Sequence, residues 1–315
     1  MLRHIASLFS CASPIKLVSV DLGTRSIRIP VAEIVGNRPG RTLLVTGGTD
    51  GDEYAGVEAA YALVDKYASG DIAGRLVVIP ILNLPGFEAE CSVNPMDGRF
   101  PKMVGLGKVR GTASERLMRW LADAYALRAD AWIDLHGGAI TEGVRPFLWL
   151  FETGVREADL LAQSYLRSCG ADTVLFEPCV GAGKAVDLAR GGCMYALAES
   201  GARGRRDKED IERHVAWTEA LMRELGMIQG GVEAHDPPRI LRRARYVYAP
   251  FAGIWRPAEF SPDAIVQGTV IGTCAKLDGT GERKIPAPTS GVGLWWKETM
   301  AMREGDILLA IGGRD

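Results

Sequence analysis

Between residues 42 and 227 the chain alternates two hydrophobic periods. Short runs in which nearly every position is apolar read as strands: TLLVTGG at 42–48, RLVVIPILN at 75–83, AWIDLHGG at 131–138, DTVLFEP at 172–178 and CMYALAES at 193–200. Between them lie longer segments with apolar residues three and four apart, the spacing of one helix face. These predict helices over 55–69, where Val57, Ala60, Tyr61 and Val64 recur at helical spacing, over 114–129 with Ser114 placed to cap it, over 155–170 and over 207–227. Strands without a polar face need cover on both sides. The pattern therefore predicts an α/β fold, a mixed, mostly parallel sheet with helices on both faces.

After the DPP break at 236–238 the helical period stops. RYVYAPFAG, AIVQGTVIGTCA, KIPAPTSGVGLWW and DILLAIGG are short β-type runs separated by turn residues. The expected organisation is a large α/β domain over 1–238 and a small all-β domain, barrel- or sandwich-like, over 239–315. The bland role for the smaller unit is a lid or a homo-oligomer contact. CAKLDG at 274–279 is a poor match to a carrier-domain attachment hairpin.

Composition narrows the function classes. The chain has 315 residues, 47% hydrophobic and 24% charged, with a formal net charge of -2. That is ordinary for a globular protein and gives no electrostatic reason to expect nucleic acid or an anionic membrane surface as partner. No apolar run approaches the ~20 residues needed to span a bilayer. The amino-terminal MLRHIASLFSCASP has a basic start, but its apolar stretch of about five residues falls short of the ~7–15 of a signal h-region. Six cysteines without CxxC or ribbon spacing read as reduced thiols. The expected location is the cytoplasm.

In open α/β sheets ligands bind beyond the carboxyl ends of the strands. Reactive side chains follow three strands there: Asp50 and Glu53 in GGTDGDEYAG, His136 in IDLHGG and Glu199 in ALAESG. Each has a bland reading as a solvated turn, a structural histidine or a rim carboxylate. Their joint placement raises the functional one. Two carboxylates three residues apart and an imidazole from another strand make a three-ligand set with an open position, the pattern of a catalytic metal site. Glu199 is then the candidate general base.

On these residues the sequence resembles the succinylglutamate desuccinylase/aspartoacylase family, relatives of the zinc carboxypeptidases. GGTDGDEYAG fits its Gly-x-His-Gly-x-Glu motif except that Asp50 stands in the histidine position. VVIPILNLPGF (77–87), NPMDG (94–98), GTASERL (111–117), IDLHGG and ALAESG match in order and spacing, and PFAGIW and APTSGVG resemble its small β-domain. The resemblance implies a carboxypeptidase-like catalytic domain over 1–238. It makes Glu53 and His136 metal ligands, joined by Asp50, with Glu199 as base and then acid. It implies hydrolysis of an amide or ester, with N-deacylation of a small acylated amino acid or amine as the expected reaction.

Two departures alter the site. Aspartate for histidine adds a negative charge beside one divalent metal. Zinc is the expected ion, but the preference tilts toward Mn²⁺ or another oxygen-tolerant ion. In DGRFPKMVGLGKVRG (97–111) the family's Asn-Arg pair falls on Lys102 and Met103, so the usual arginine is absent. Arg99, Lys102 and Arg110 are the candidates for holding substrate, with Lys108 a further loop cation. The alternative reading is a family member with impaired catalysis that binds a small molecule or regulates.

Overall fold

In the computed structural model, which describes residues 14–179, 181–230 and 236–314, the alternating periods become a layered α/β domain. Its elements are β1 (Ile15–Asp21), β2 (Ser26–Val35), β3 (Arg38–Gly47), α1 (Tyr54–Tyr67), β4 (Ala73–Ile79), a short α2 (Leu84–Glu88), α3 (Ala113–Ala124), β5 (Ala131–His136), β6 (Glu142–Val144), β7 (Phe147–Glu152), α4 (Arg156–Ser168), β8 (Thr173–Pro178), α5 (Lys184–Arg190), β9 (Met194–Glu199), α6 (Lys208–Glu224) and β10 (Arg239–Leu241). Nine strands form one sheet in the order β1-β2-β4-β3-β5-β9-β7-β8-β10. The central run β4-β3-β5-β9 is parallel, so its carboxyl ends lie along one edge.

Burial on both faces explains the near-continuous apolar strands. Leu43, Val45, Ile133 and Leu135 point into a core closed by α1, α4 and α6. Leu44, Val77 and Trp132, the alternate positions, point into a second core closed by α3 and α5. The expected mixed, mostly parallel sheet with helices on both faces is the fold observed.

Three local expectations change. A hairpin, β1–β2, precedes the first expected strand, and β2 joins β4 antiparallel. β7 inserts antiparallel beside β9. Ser114 does not cap α3. Thr112 does, through a capping box with Glu115, while the Ser114 backbone N–H and hydroxyl both donate to Asp97.

The remaining strands are β11 (Arg243–Tyr248), β12 (Gly253–Pro257), β13 (Val270–Ala275), β14 (Arg283–Pro286), β15 (Val292–Lys297), β16 (Ala301–Met302) and β17 (Ile307–Gly313). They make two four-stranded sheets, β11-β17-β15-β6 and β14-β13-β12-β16, around Trp255, Ile271, Leu308 and Leu309. The two parts of the chain interlock. β6, from the larger part, pairs with β15, and β10 completes the edge of the nine-stranded sheet. Residues 1–13 of the amino-terminal stretch, which falls short of an export signal, lie outside the described residues, as do His4, Cys11 and His235. Among the described residues no helix is long and apolar enough to cross a membrane, and five cysteines are free thiols.

One glycine ties this packing to the strand ends. A Cβ at Gly56, in the first turn of α1, would stand 2.5 Å from the Leu135 carbonyl oxygen. The helix can therefore approach β5 only with glycine there. Gly56→Ala is expected to push α1 off β5, at the ~1–3 kcal/mol typical of an overpacked core. Since Glu53 precedes α1, the same change should displace it from His136. A thermal melt together with metal content would register both, and a wild-type melting midpoint would refute the close-packing account.

Candidate active site

β3, β5 and β9 deliver the reactive groups. His136 and Glu199 are the last residues of adjacent parallel strands and are direct register partners. Asp50 and Glu53 lie on the turn between β3 and α1. Gly51 lets that turn seat on another backbone, since a Cβ there would lie 2.2 Å from the Gly86 carbonyl carbon. All four side chains are buried: Asp50 2%, Glu53 4%, His136 0% and Glu199 9% exposed. The structure thus brings together the four residues expected at the strand ends. Asp52, the third acid of the motif, is tied elsewhere: it accepts from Ser92 Oγ at 2.7 Å and from the Ile140 N–H.

His136 Nδ1 lies 2.8 Å from Glu53 Oε2, which also accepts from the Gly137 N–H. Its Nε2 lies 3.2 Å from Asp134 Oδ2 without hydrogen-bond alignment. Burial disfavours the imidazolium, but Asp134 and Glu53 outweigh it and hold His136 well above its ordinary range. Burial, then the neighbouring Glu53 charge, pushes the Glu199 carboxyl well above the usual carboxylate range. Burial raises Asp50 to about 6, against the opposing pull of Lys102.

Of the three cations expected to hold substrate, the structure brings one to the cluster. Lys102 Nζ is 2.5 Å from Asp50 Oδ2. A three-residue 3₁₀ turn, Pro101–Met103, carries it, on a loop pinned by Asp97 to Ser114 and by the Asn94–Arg99 bridge. Burial lowers its pKa, but Asp50, Glu53 and Glu199 together raise it well above the ordinary lysine value. Arg99 and Arg110 are exposed on the same loop and make no ion pair with the cluster among the described residues.

A buried network that sequence reasoning largely missed sits beneath His136. Asp134 accepts from Thr46 Oγ1 (2.6 Å), Thr49 Oγ1 (2.7 Å) and Tyr195 OH (3.1 Å). Lys184 Nζ donates to the Tyr195 oxygen at 2.7 Å and lies over the Tyr195 and Trp132 rings. Burial lowers Lys184 to about 8. The available signals were a tyrosine inside an apolar strand and a lysine directly after GAG at 181–183. On the far side, His214, lowered to about 4 by burial, is neutral at pH 7; its Nε2–H donates to the Ser200 carbonyl and so fixes the residue after Glu199.

The donor set fits one divalent metal. Asp50, Glu53 and His136 each offer a ligand atom, all within 4.8 Å of one another. Asp50 Oδ1 and, beside the group, Glu199 Oε2 are buried without a hydrogen-bond partner. Two carboxylates and an imidazole suit zinc and also oxygen-tolerant ions. A surface cavity of about 580 Å³ lined by Arg38, Tyr67, Asp71 and Glu219 lies instead toward the start of β3 and the end of α1, away from these groups.

The fold has counterparts among known proteins. Residues 39–225 match the succinylglutamate desuccinylase/aspartoacylase catalytic domain, and the chain belongs to that family. It is 26% identical over 252 residues to the N-alpha-acetyl-L-2,4-diaminobutyric acid deacetylase of Halomonas elongata, covering 78% of this chain and 73% of that protein. The crystal structure of a succinylglutamate desuccinylase/aspartoacylase from Rhodobacter sphaeroides superposes with a TM-score of 0.82 at 21% identity over 95% of both chains. The product-bound ectoine utilization protein EutE (DoeB) of Ruegeria pomeroyi also gives 0.82, at 19% identity, over 96% of this chain and all of that one. At these identities the structural likenesses concern the fold.

Proposed function

We propose that the protein is a metal-dependent hydrolase that removes the acyl group from a small N-acylated amino acid or amine. The observation that carries this reading is the register pairing of His136 with Glu199. It sets a buried, unpartnered carboxylate oxygen beside the three-ligand group Asp50, Glu53 and His136. The named deacylases among the relatives support the amide bond as target.

Asp50, Glu53 and His136 would hold the metal, which supplies Lewis acidity toward the substrate carbonyl and toward water. Glu199 takes a proton from the attacking water as oxygen bonds to the carbonyl carbon. It then delivers that proton to the leaving nitrogen as the carbon–nitrogen bond breaks, giving a carboxylic acid and an amine, which leave as carboxylate and ammonium. Burial and the Glu53 charge raise the pKa of Glu199, the direction that makes a carboxylate a stronger base. The Asp134 carboxylate, 3.2 Å from Nε2 on the other side of the ring, draws on His136 electrostatically from below.

The Asp50–Lys102 ion pair favours a second reading, a binding protein without turnover, because the ammonium already neutralises one of the three candidate ligands. One experiment separates the two. Protein purified without chelator is assayed for amine release over a panel of N-acetyl, N-succinyl and longer acyl substrates, before and after metal removal. Hydrolysis of one class, lost on chelation and restored by Zn²⁺ or Mn²⁺, is expected. Saturable binding across the panel with no amine released would favour the second reading.

A further inference from the structure

Two unusual residues of this site meet each other. Asp50 and Lys102 lie 52 positions apart in sequence, yet the ammonium rests 2.5 Å from one oxygen of the carboxylate. The loop around Lys102 is built to bring it there. Asp97 accepts from the Ser114 N–H and hydroxyl and from the Arg99 N–H, and Asn94 N donates to Arg99 O at 2.7 Å. The Asp50 side chain is 2% exposed, whereas the Lys102 side chain keeps 29% of its surface in solvent. The ammonium thus closes the mouth of a carboxylate cluster, with an open side through which it can withdraw.

Resting on the metal-binding reading above, we propose that Lys102 is the resident cation of the site, so that a divalent ion must compete with its ammonium. Asp50, Glu53 and Glu199 form a buried cluster of carboxylates. Such a cluster is costly without positive charge among its members. Lys102 supplies that charge at Asp50, as His136 does at Glu53. A metal at Asp50, Glu53 and His136 supplies it again, and then faces a like charge at close range. One Asp50 oxygen, Oδ1, is left without a partner by the lysine and is free for the ion. Lysine suits such an exchange better than arginine does, because a single ammonium on a flexible stem releases one contact rather than a bidentate pair. The arrangement makes the metal exchangeable rather than locked in. It also couples the choice of aspartate at position 50 to a lysine at 102.

The test measures zinc affinity, by competition with a chromogenic chelator, for wild type, Lys102→Met and Lys102→Arg. Melting midpoints are recorded with and without zinc. Removing a unit charge from beside a divalent ion in a partly buried site should tighten binding about 10- to 100-fold in Lys102→Met. Lys102→Arg keeps the charge and can add a second contact to the carboxylate, so it should bind zinc no more tightly than wild type. Without zinc, Lys102→Met should melt below wild type, and zinc should raise its midpoint by more than it raises that of wild type. Zinc binding that is equal or weaker in Lys102→Met, with wild type binding zinc, overturns the competition while leaving the metal reading intact. Failure of both proteins to bind zinc or manganese overturns the metal reading and this inference with it. A methionine variant that binds zinc where wild type does not would support the proposal in its strongest form.

Discussion

Glu199→Gln is expected to lower turnover by about 10²- to 10⁴-fold, the usual size of a general acid–base contribution, with the bound metal and the fold retained. The substitution keeps shape and volume and removes the group that can take up and release a proton. Folding should not suffer. Burial and the Glu53 charge push the Glu199 carboxyl well above its ordinary range, so its ionised form opposes the folded state at neutral pH. A neutral amide lifts that penalty, and the melting midpoint should hold or rise. Steady-state kinetics on the best substrate, metal content and a melt together decide the matter. Full activity in Glu199→Gln would remove the base from the mechanism. Lost activity with lost metal would make Glu199 a ligand or a structural group instead.

The parts of the molecule that sequence made legible are those governed by local periodicity. Fully buried parallel strands announce themselves as apolar runs, and β3, β4, β5, β8 and β9 all fall within a few residues of the expected segments. The helices do the same through their apolar stripes. β1 was obscure because six of its seven side chains are exposed or only partly buried, so that Val20 alone marks a core position, and it pairs at the sheet's edge. β7 follows β6 after Arg145 and Pro146, and nothing in its own apolar run marks an antiparallel insertion. Ser114 looked like a cap because serine before an apolar run usually is one. Asp97 claimed it, and Thr112, with glutamate at the third helical position, took the end of the helix.

At the site, the strand-end rule located Asp50, Glu53, His136 and Glu199, because backbone direction alone sends those positions to one edge. It could not pair Asp50 with Lys102. That contact depends on a loop whose course is set by Asp97 and Asn94, and no spacing encodes it. For the same reason the three loop cations looked equivalent in sequence, whereas Lys102 faces the carboxylates and Arg99 and Arg110 face solvent. Lys184 and Tyr195 were hidden more deeply. They meet only because α5 packs on the face of β9 that carries Tyr195 and leads the chain back under Trp132.

That hidden network supports the second large effect. Asp134→Ala is expected to destabilise the protein by about 3–5 kcal/mol, the range for removing one partner of a buried charged network. Asp134 is fully buried and is the shared acceptor for Thr46, Thr49 and Tyr195, while Thr46 accepts in turn from Trp132 Nε1 at 2.7 Å. Alanine leaves three hydroxyl donors and the Lys184 charge above them without their anion, and desolvation of each is then uncompensated. Burial alone would raise the Asp134 carboxyl, but His136, Lys184 and Thr46 together hold it well below the ordinary range. Its contribution is therefore present at neutral pH and lost only as pH falls through that depressed value. Asp134→Asn, which keeps the shape but loses the charge, should fold with a smaller penalty. It should still weaken metal binding about 10- to 100-fold, because the group that orients His136 from Nε2 no longer attracts it. Urea denaturation of both variants at pH 7, read beside their zinc affinities, tests the account. If Asp134→Ala unfolds within about 1 kcal/mol of wild type, the three hydroxyls have found other acceptors and Asp134 is not the hub of this core. If Asp134→Asn binds zinc as tightly as wild type, His136 is held in place by Glu53 and the backbone alone.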